Sequence, residues 1–582
     1  QEQLVHAQIG LVTLSGKPIR KMLLDGDQLT DYHLAIDGKP LSYTSPLLWD
    51  RGFMNWFRPE KDTAPYRLYT LPHPLEPGDS TLVEISSSFV YHGFQNGFYG
   101  GAHLRNGTIF TGGLPELGYD DEDELSSPYE RRKYGLPPKD DEDDIPQDDP
   151  VGIRTLKAGR AAHLMTMDMT ISTSGDQVAV GQGELISHWR RDGRNYFRYV
   201  LDNPGSYPPV AVFSARYVSV MDTVDVGHPV SIRIYHDPAH DLNVHRFMAG
   251  YKDALRYFSQ AYGPYPYKSI SLVEGNPYLS QMGSMATLDE VAENYAWNAS
   301  FTSPDQFDYC YFIAARLTAQ QWWRFGVAPN ETQGCMDIPE GLSWYDALVM
   351  AEHKYGKDNM QWILRYQTWP YLFQHSRQEN ADSPLIRSNH PFSFNGKAAL
   401  ELYALRDLIG EDSIDAALRQ LRDSFCYRTR GPYAGAGDLF RCLKAHTPDS
   451  LQYFLTDSWL KNRLYDNQLA GLSMQATGRL DEYKVILDVH VGKEYIGDNG
   501  VNTPAPEMAD YIDIGVFGHG TVNVSGKSTG RGRVNPLYLK RYKLTAGKHR
   551  ITVIVHGKPE WAGIDPYSKL LDMHPGDNIK GF

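Results

Sequence analysis

Several groups of residues in this 582-residue chain have types and spacings that chemistry could use, and most of them dissolve on closer reading. His236 and His240 stand four apart, an interval that on a helix would bring two imidazoles to one metal. Asp237-Pro238 between them disfavours a helix, so both are expected to be ordinary, satisfied histidines. Gly526-Lys527-Ser528-Thr529 resembles the end of a phosphate-binding loop. Thr521 holds the place of the required leading glycine, however, and the segment is expected between strands rather than opening a helix. Two acidic bursts, 120–124 and 140–144, fall in a stretch from Tyr119 to Pro150 that reads as a solvated surface excursion; a calcium loop would need carboxylates at fixed positions. Cys310, Cys335, Cys426 and Cys442 show no C-x-x-C spacing and are expected to be buried thiols, with a Cys426 to Cys442 bridge left open. No Ser or Cys can be paired with a His and an acid. The most informative stretch is Ala314 to Trp323 with Ile338 to Tyr345 after it, although by composition alone its small and aromatic residues at helical spacing read as core.

The elements that would position these residues follow from hydrophobic period. From Leu4 to about Ile234, short alternating runs such as Ser80 to Ser88, His163 to Ser172 and Val210 to Val218 lie between Gly, Pro and Asp clusters, which is all-β punctuation. From about His236 the period becomes helical, over 244–262, 306–325, 344–355, 359–372, 398–409, 412–425 and 449–462. From about Leu472 the period returns to two, with strands expected at Tyr483 to Val491, Tyr511 to Phe517 and Arg550 to Val555. No solenoid repeat appears. The length implies about three to four domains. The apolar fraction of 41% suffices for packed cores, and Gly 52, Pro 36 and Tyr 38 lean toward β-rich modules. A net charge of −14 and a pI near 5.8 argue against a nucleic-acid partner, which needs a basic surface. No window reaches the roughly 18 uninterrupted apolar residues of a membrane span. Because the chain begins at Gln1 without a signal-peptide pattern, it is expected to be a processed product or part of something larger.

Gln321-Trp322-Trp323, followed by Ile338-Pro339-Glu340-Gly341-Leu342-Ser343-Trp344-Tyr345, resembles the aminopeptidase-N-type gluzincins, a class of zinc metallopeptidases. Within them the sequence is most similar to the periplasmic peptidase-like domain of bacterial proteins, mostly from Bacteroidota, that fuse an ABC-type permease to such a domain. Arg132 to Pro138, Leu408 to Asp412, Thr447 to Tyr453, Asp513 to Phe517 and Gly563 to Tyr567 extend the resemblance over essentially the whole chain.

In that family the zinc helix reads H-E-x-x-H, two His one turn apart with a Glu that activates water, and a further Glu ligand comes from the next helix. Here Arg316 and Gln320 stand at the His positions and Leu317 at the catalytic Glu, while Glu340 alone matches the third ligand. The G-x-M-E-N stretch, whose Glu holds the substrate amine, resembles Gly283-Ser284-Met285-Ala286-Thr287, where Ala286 removes the anion. Phe394 falls where the transition-state Tyr usually lies and has no hydroxyl to polarise a carbonyl. The resemblance therefore implies degenerate zinc-site positions (Arg316, Leu317, Gln320, Glu340), degenerate substrate-site positions (Gly283, Met285, Ala286, Phe394), no catalytic residue and no zinc cofactor. A corollary is a buried, bidentate pair of Arg316 and Glu340 with Gln320 hydrogen-bonded beside it.

The expected architecture is α+β in three parts: an N-terminal β-sandwich or saddle over 1–235, a thermolysin-like, mostly helical domain over 236–468, and a C-terminal β-sandwich over 469–582. The expected function is that of a pseudoenzyme, a periplasmic domain tethered to the inner membrane as the extracytoplasmic part of an ABC transporter permease. Its inherited cleft would bind peptides or a partner protein, such as a second copy or a paralogous permease domain. The rivals are an active metallo-aminopeptidase with a non-standard site and a free secreted interaction module.

Overall fold

The computed structural model describes residues 2–12, 16–25, 31–44, 66–90, 107–111, 114–118, 125, 127–137, 145–159, 164–206, 210–275, 282–293, 295–300, 307–375, 383–497, 501–518 and 536–582. Both acidic bursts and the 526–529 segment lie outside them.

At the N-terminal end, strand Glu2–Val12 pairs antiparallel with Ser80–Val90, which also pairs with Asp31–Ile36. A second sheet holds Tyr66–Leu75 against Ile19–Asp25. Alternation decides which face turns inward: Tyr32 and Leu34 are buried and His33 between them is exposed, and Met22, Leu24, Tyr69, Leu71, Val83 and Ile85 fill the space between the sheets. Two three-stranded sheets follow, one of them Val178–Val180, Ala211–Ala215 and Gly107–Thr111. The single strand expected over 210–218 is two. Ala211–Ala215 stays in that small sheet while Val218–Asp225 joins the next one, and between them buried Tyr217 donates its hydroxyl to the Glu274 carbonyl at 2.7 Å. The end of the expected surface excursion is tied to the central part: Ile145 accepts from Gln333 N at 2.9 Å, and the Gln147 carboxamide donates to the Ile386 carbonyl.

The central part opens with a five-stranded sheet in the order Val218–Asp225, Pro229–His236, Ser269–Gly275, Leu288–Ala292, Met282–Met285. Its middle three strands are parallel, so the division at about 235 falls inside a sheet. The strands after 236 carry no alternating signal because parallel strands are covered on both faces; Leu288–Ala292 is buried at every position.

Nine helices are found among the described residues: α1 (Pro128–Lys133), α2 (Val244–Ala261), α3 (Tyr309–Gln320), α4 (Gly341–Tyr355), α5 (Gln361–His375), α6 (Ala399–Ile409), α7 (Glu411–Phe425), α8 (Ala436–Ala445) and α9 (Gln452–Trp459), with α1 alone in the N-terminal part and α2 and α3 packed against this sheet. α2 is amphipathic, burying Val244, Phe247, Tyr251, Leu255 and Phe258. Gly250 lets it press on α3, since a Cβ there would stand 2.6 Å from the Ala314 Cβ. α3 is buried from Cys310 to Gln320 on all sides. It continues as a wider π-turn over Gln321–Gly326, and a similar turn, Ser393–Ala398, leads into α6. α8 was not expected; Gly435 and Gly437 make its start read as loop, and the Asp438 carboxylate caps it by accepting from Gly435 N at 3.0 Å.

The C-terminal part is a sandwich. Gln468–Ala476, Glu482–Val491 and Gly547–His556 form one sheet; Pro536–Thr545, Ala509–Phe517, Trp561–Ile564 and Ile579–Gly581 form the other. Val485, Leu487, Val489, Ile512, Ile514, Val516 and Val553 fill the interior. This sandwich is clasped to the helices by charge. Asp407 at the end of α6 accepts from Lys357, Arg541 and Lys569, and Asp513 accepts from the latter two. All four cysteines are free, Cys426 half-buried and the others buried. Among the described residues no helix is long and apolar enough to cross a membrane. The whole is the expected multidomain arrangement, with sheets at both ends around a central helical domain.

Candidate functional site

Three side chains meet where α3 runs past the start of α4. Arg316 and Gln320 are one turn apart and share a face of α3. Glu340 immediately precedes α4, where the unpaired N–H groups of a helix start favour an anion. Gly341 packs this start closely against the turn before α6, a Cβ at that position standing 3.0 Å from the Ala398 Cβ. The Glu340 Oε2 accepts from Arg316 Nη2, and Oε1 accepts from Gln320 Nε2 at 3.0 Å. Arg316 and Glu340 are each only 7% exposed. The guanidinium carbon lies 4.5 Å from the centroid of the Trp344 ring, a cation–π contact one turn along α4.

The pairing of Arg316, Glu340 and Gln320 is therefore present, but the expected two-point fork is not. One guanidinium nitrogen takes one carboxylate oxygen because Gln320 has the other, and Arg316 Nε is buried without a hydrogen-bond partner. Sequence reasoning missed Arg324, whose Nη1 lies 3.8 Å from Glu340 Oε1. Its signal was available, since 316, 320 and 324 repeat every four residues. Leu317 is completely buried in the central core.

Gly283, Ser284 and Met285 lie on Met282–Met285, one of the two edge strands of the five-stranded sheet. Ala286 is wholly buried in the turn after it, and Thr287 takes a positive φ of 64° there. Gln321 fastens this hairpin to the end of α3. Its Oε1 accepts from Thr287 N at 2.9 Å, while Nε2 donates to Met285 O at 3.1 Å and to Asp289 Oδ1 at 3.2 Å. Asp289 also accepts from Ser284 Oγ at 2.5 Å and Tyr251 OH at 2.7 Å. Burial pushes the Asp289 carboxyl up to about 7, although these hydrogen bonds and the charge of Arg316 oppose the rise. Phe394 is buried in the turn before α6, and its carbonyl oxygen lies 3.6 Å from where a Gly341 Cβ would stand.

The histidines are accounted for separately. His236 Nδ1 lies 2.8 Å from the Asp237 carbonyl, and its ring stacks on Trp297. His240 Nδ1 meets the buried Glu274 carboxylate at 2.5 Å; burial alone would lower the imidazole pKa, but Glu274 raises it. Among the described residues no three His, Cys, Asp or Glu are grouped to hold a metal ion.

A peptidase zinc needs three protein ligands with free lone pairs and an open position. At this convergence a guanidinium has no lone pair to offer, Gln320 presents a neutral carboxamide in place of an imidazole, and the one carboxylate already accepts on both oxygens. This donor set does not fit zinc.

β domains flank a core of parallel strands and helices, and comparison with solved structures shows which known fold this arrangement matches. The chain is similar to aminopeptidase A of Legionella pneumophila in complex with aspartic acid, with a TM-score of 0.52 and 14% identity over 97% of this chain and 57% of that chain. It is also similar to a mutant form of the M1 zinc metallopeptidase of Deinococcus radiodurans, with a TM-score of 0.50 and 15% identity over 78% of this chain and 89% of that one. The fold is that of the M1 zinc aminopeptidases. No family model matches the sequence, and no curated protein does.

Proposed function

We propose that this chain is a peptidase-derived binding domain that does not cleave peptides. In this reading it is the periplasmic part of an ABC-type permease, tethered to the inner membrane through segments outside the chain, and its inherited cleft takes a peptide or a partner domain. The observation that carries the loss of cleavage is the convergence of Arg316 and Gln320 on Glu340, which sets a fixed cation beside a single carboxylate and leaves fewer than the three ligands a peptidase zinc needs. Leu317, which cannot accept a proton, and Phe394, which has no hydroxyl, support it from two further catalytic roles. The permease and periplasmic parts rest on the sequence motifs from Arg132 to Tyr567. The test is hydrolysis of a panel of aminoacyl-coumarin substrates with zinc in excess. No turnover above the protein-free rate is expected, and turnover that scales with protein and is abolished by a chelator would overturn the reading.

A further inference from the structure

The charges around Glu340 do not cancel. Among the described residues Glu340 is the one carboxylate within ion-pair distance of either Arg316 or Arg324, so two guanidiniums share a single anion. The two cations are held differently. Arg316 is sealed against Trp344 and hydrogen-bonded to the carboxylate. Arg324 stands 3.8 Å away, beyond hydrogen-bond length, because Gln320 already occupies that oxygen, and a third of its side chain is open to solvent. Its guanidinium donors are thus available to a ligand on the solvent side. A second acidic group whose charge feels Arg316 is Asp289, whose two oxygens are committed to Ser284, Tyr251 and Gln321 and which is fully buried. Ala286 contributes no charge at the hairpin. An ammonium brought to this place would meet an excess cation, whereas a carboxylate would find a preset guanidinium.

We propose that the site selects a carboxylate of a bound peptide, held by Arg324, and rejects a free amine, the reverse of the polarity by which an aminopeptidase holds its substrate. This rests on the peptide-binding reading above and specifies its ligand. The carboxylate can come from the peptide's C-terminus or from an acidic side chain.

The experiment retains a pool of short random-sequence peptides on the immobilised chain in four forms: free at both ends, acetylated, amidated, or blocked at both ends. Mass spectrometry counts what is held. Amidation is expected to reduce retention about tenfold, as loss of one charge-assisted contact would, while acetylation changes it less than about twofold. Arg324→Gln should erase that difference, and its partial exposure makes the substitution compatible with folding. If the amidated peptides still held are those rich in Asp and Glu, the carboxylate is a side chain and the proposal stands with that source. Loss on acetylation, or equal retention of all forms regardless of acidic content, overturns the polarity while leaving peptide binding intact. No retention of any form overturns both.

Discussion

Removing the Glu340 carboxylate tests how the site is built. In Glu340→Ala, Arg316 becomes a buried guanidinium without its counter-charge; the two side chains are now 8% and 10% exposed, so water cannot readily take over. Breaking one partner of such a pair costs about 3–5 kcal/mol. The Gln320 carboxamide loses its acceptor, adding about 1 kcal/mol. The Trp344 ring lies under the guanidinium in both parent and variant and so drops out of the difference. The net loss is about 4–6 kcal/mol, which for a domain of this size lowers Tm by about 15 °C. Differential scanning calorimetry on the whole chain reads it in the transition of the central domain. Replacing both charges, Arg316→Met with Glu340→Gln, should recover most of the loss, because a neutral pair pays no desolvation. A Glu340→Ala shift below about 3 °C, or a double variant as unstable as the sum of its singles, would refute the claim that the pair is buried and coupled.

Asp407→Asn leaves Lys569 and Arg541 sharing Asp513 alone, and should cost about 3 kcal/mol and split off an earlier calorimetric transition of the C-terminal sandwich. An unchanged single transition would mean that the clasp does not couple the domains. Asp289 has a folded pKa raised from 3.8 to about 7, so its contribution to stability is complete below about pH 4 and is lost as pH rises toward 7. Asp289→Asn should therefore gain on the parent by on the order of 2 kcal/mol between about pH 5 and pH 8 in urea titrations, and a difference that does not vary with pH would contradict the burial. Arg316→His, Leu317→Glu and Gln320→His together would set two imidazoles and Glu340 at one point, and the triple variant should take up zinc measurable by calorimetric titration. If it takes up none, α3 and α4 do not hold a metal-ligand spacing.

How much could be read beforehand varied with the physical source of each signal. The convergence of 316, 320 and 340 was legible because helical spacing is local, and the resemblance supplied the register between the two helices. The fork was misjudged because competition between Gln320 and Arg316 for one carboxylate depends on side-chain reach, which spacing does not encode. The strands Ser269–Gly275 and Leu288–Ala292 were missed because burial on both faces removes the alternation that marks a strand. The split after Ala215 was hidden by a continuous β-like run, and α8 by its glycines. The clasp joins Asp407 to residues more than a hundred positions away, so no local pattern could announce it.

Under the proposed function, the Arg316 guanidinium stands where the resemblance to the gluzincins implies a zinc ligand. Elemental mass spectrometry of zinc per chain, on protein purified without a chelator or a metal-affinity step, tests it most directly. The account predicts less than about a tenth of an equivalent. Near-stoichiometric zinc that survives gel filtration, and that Glu340→Ala releases, would contradict it.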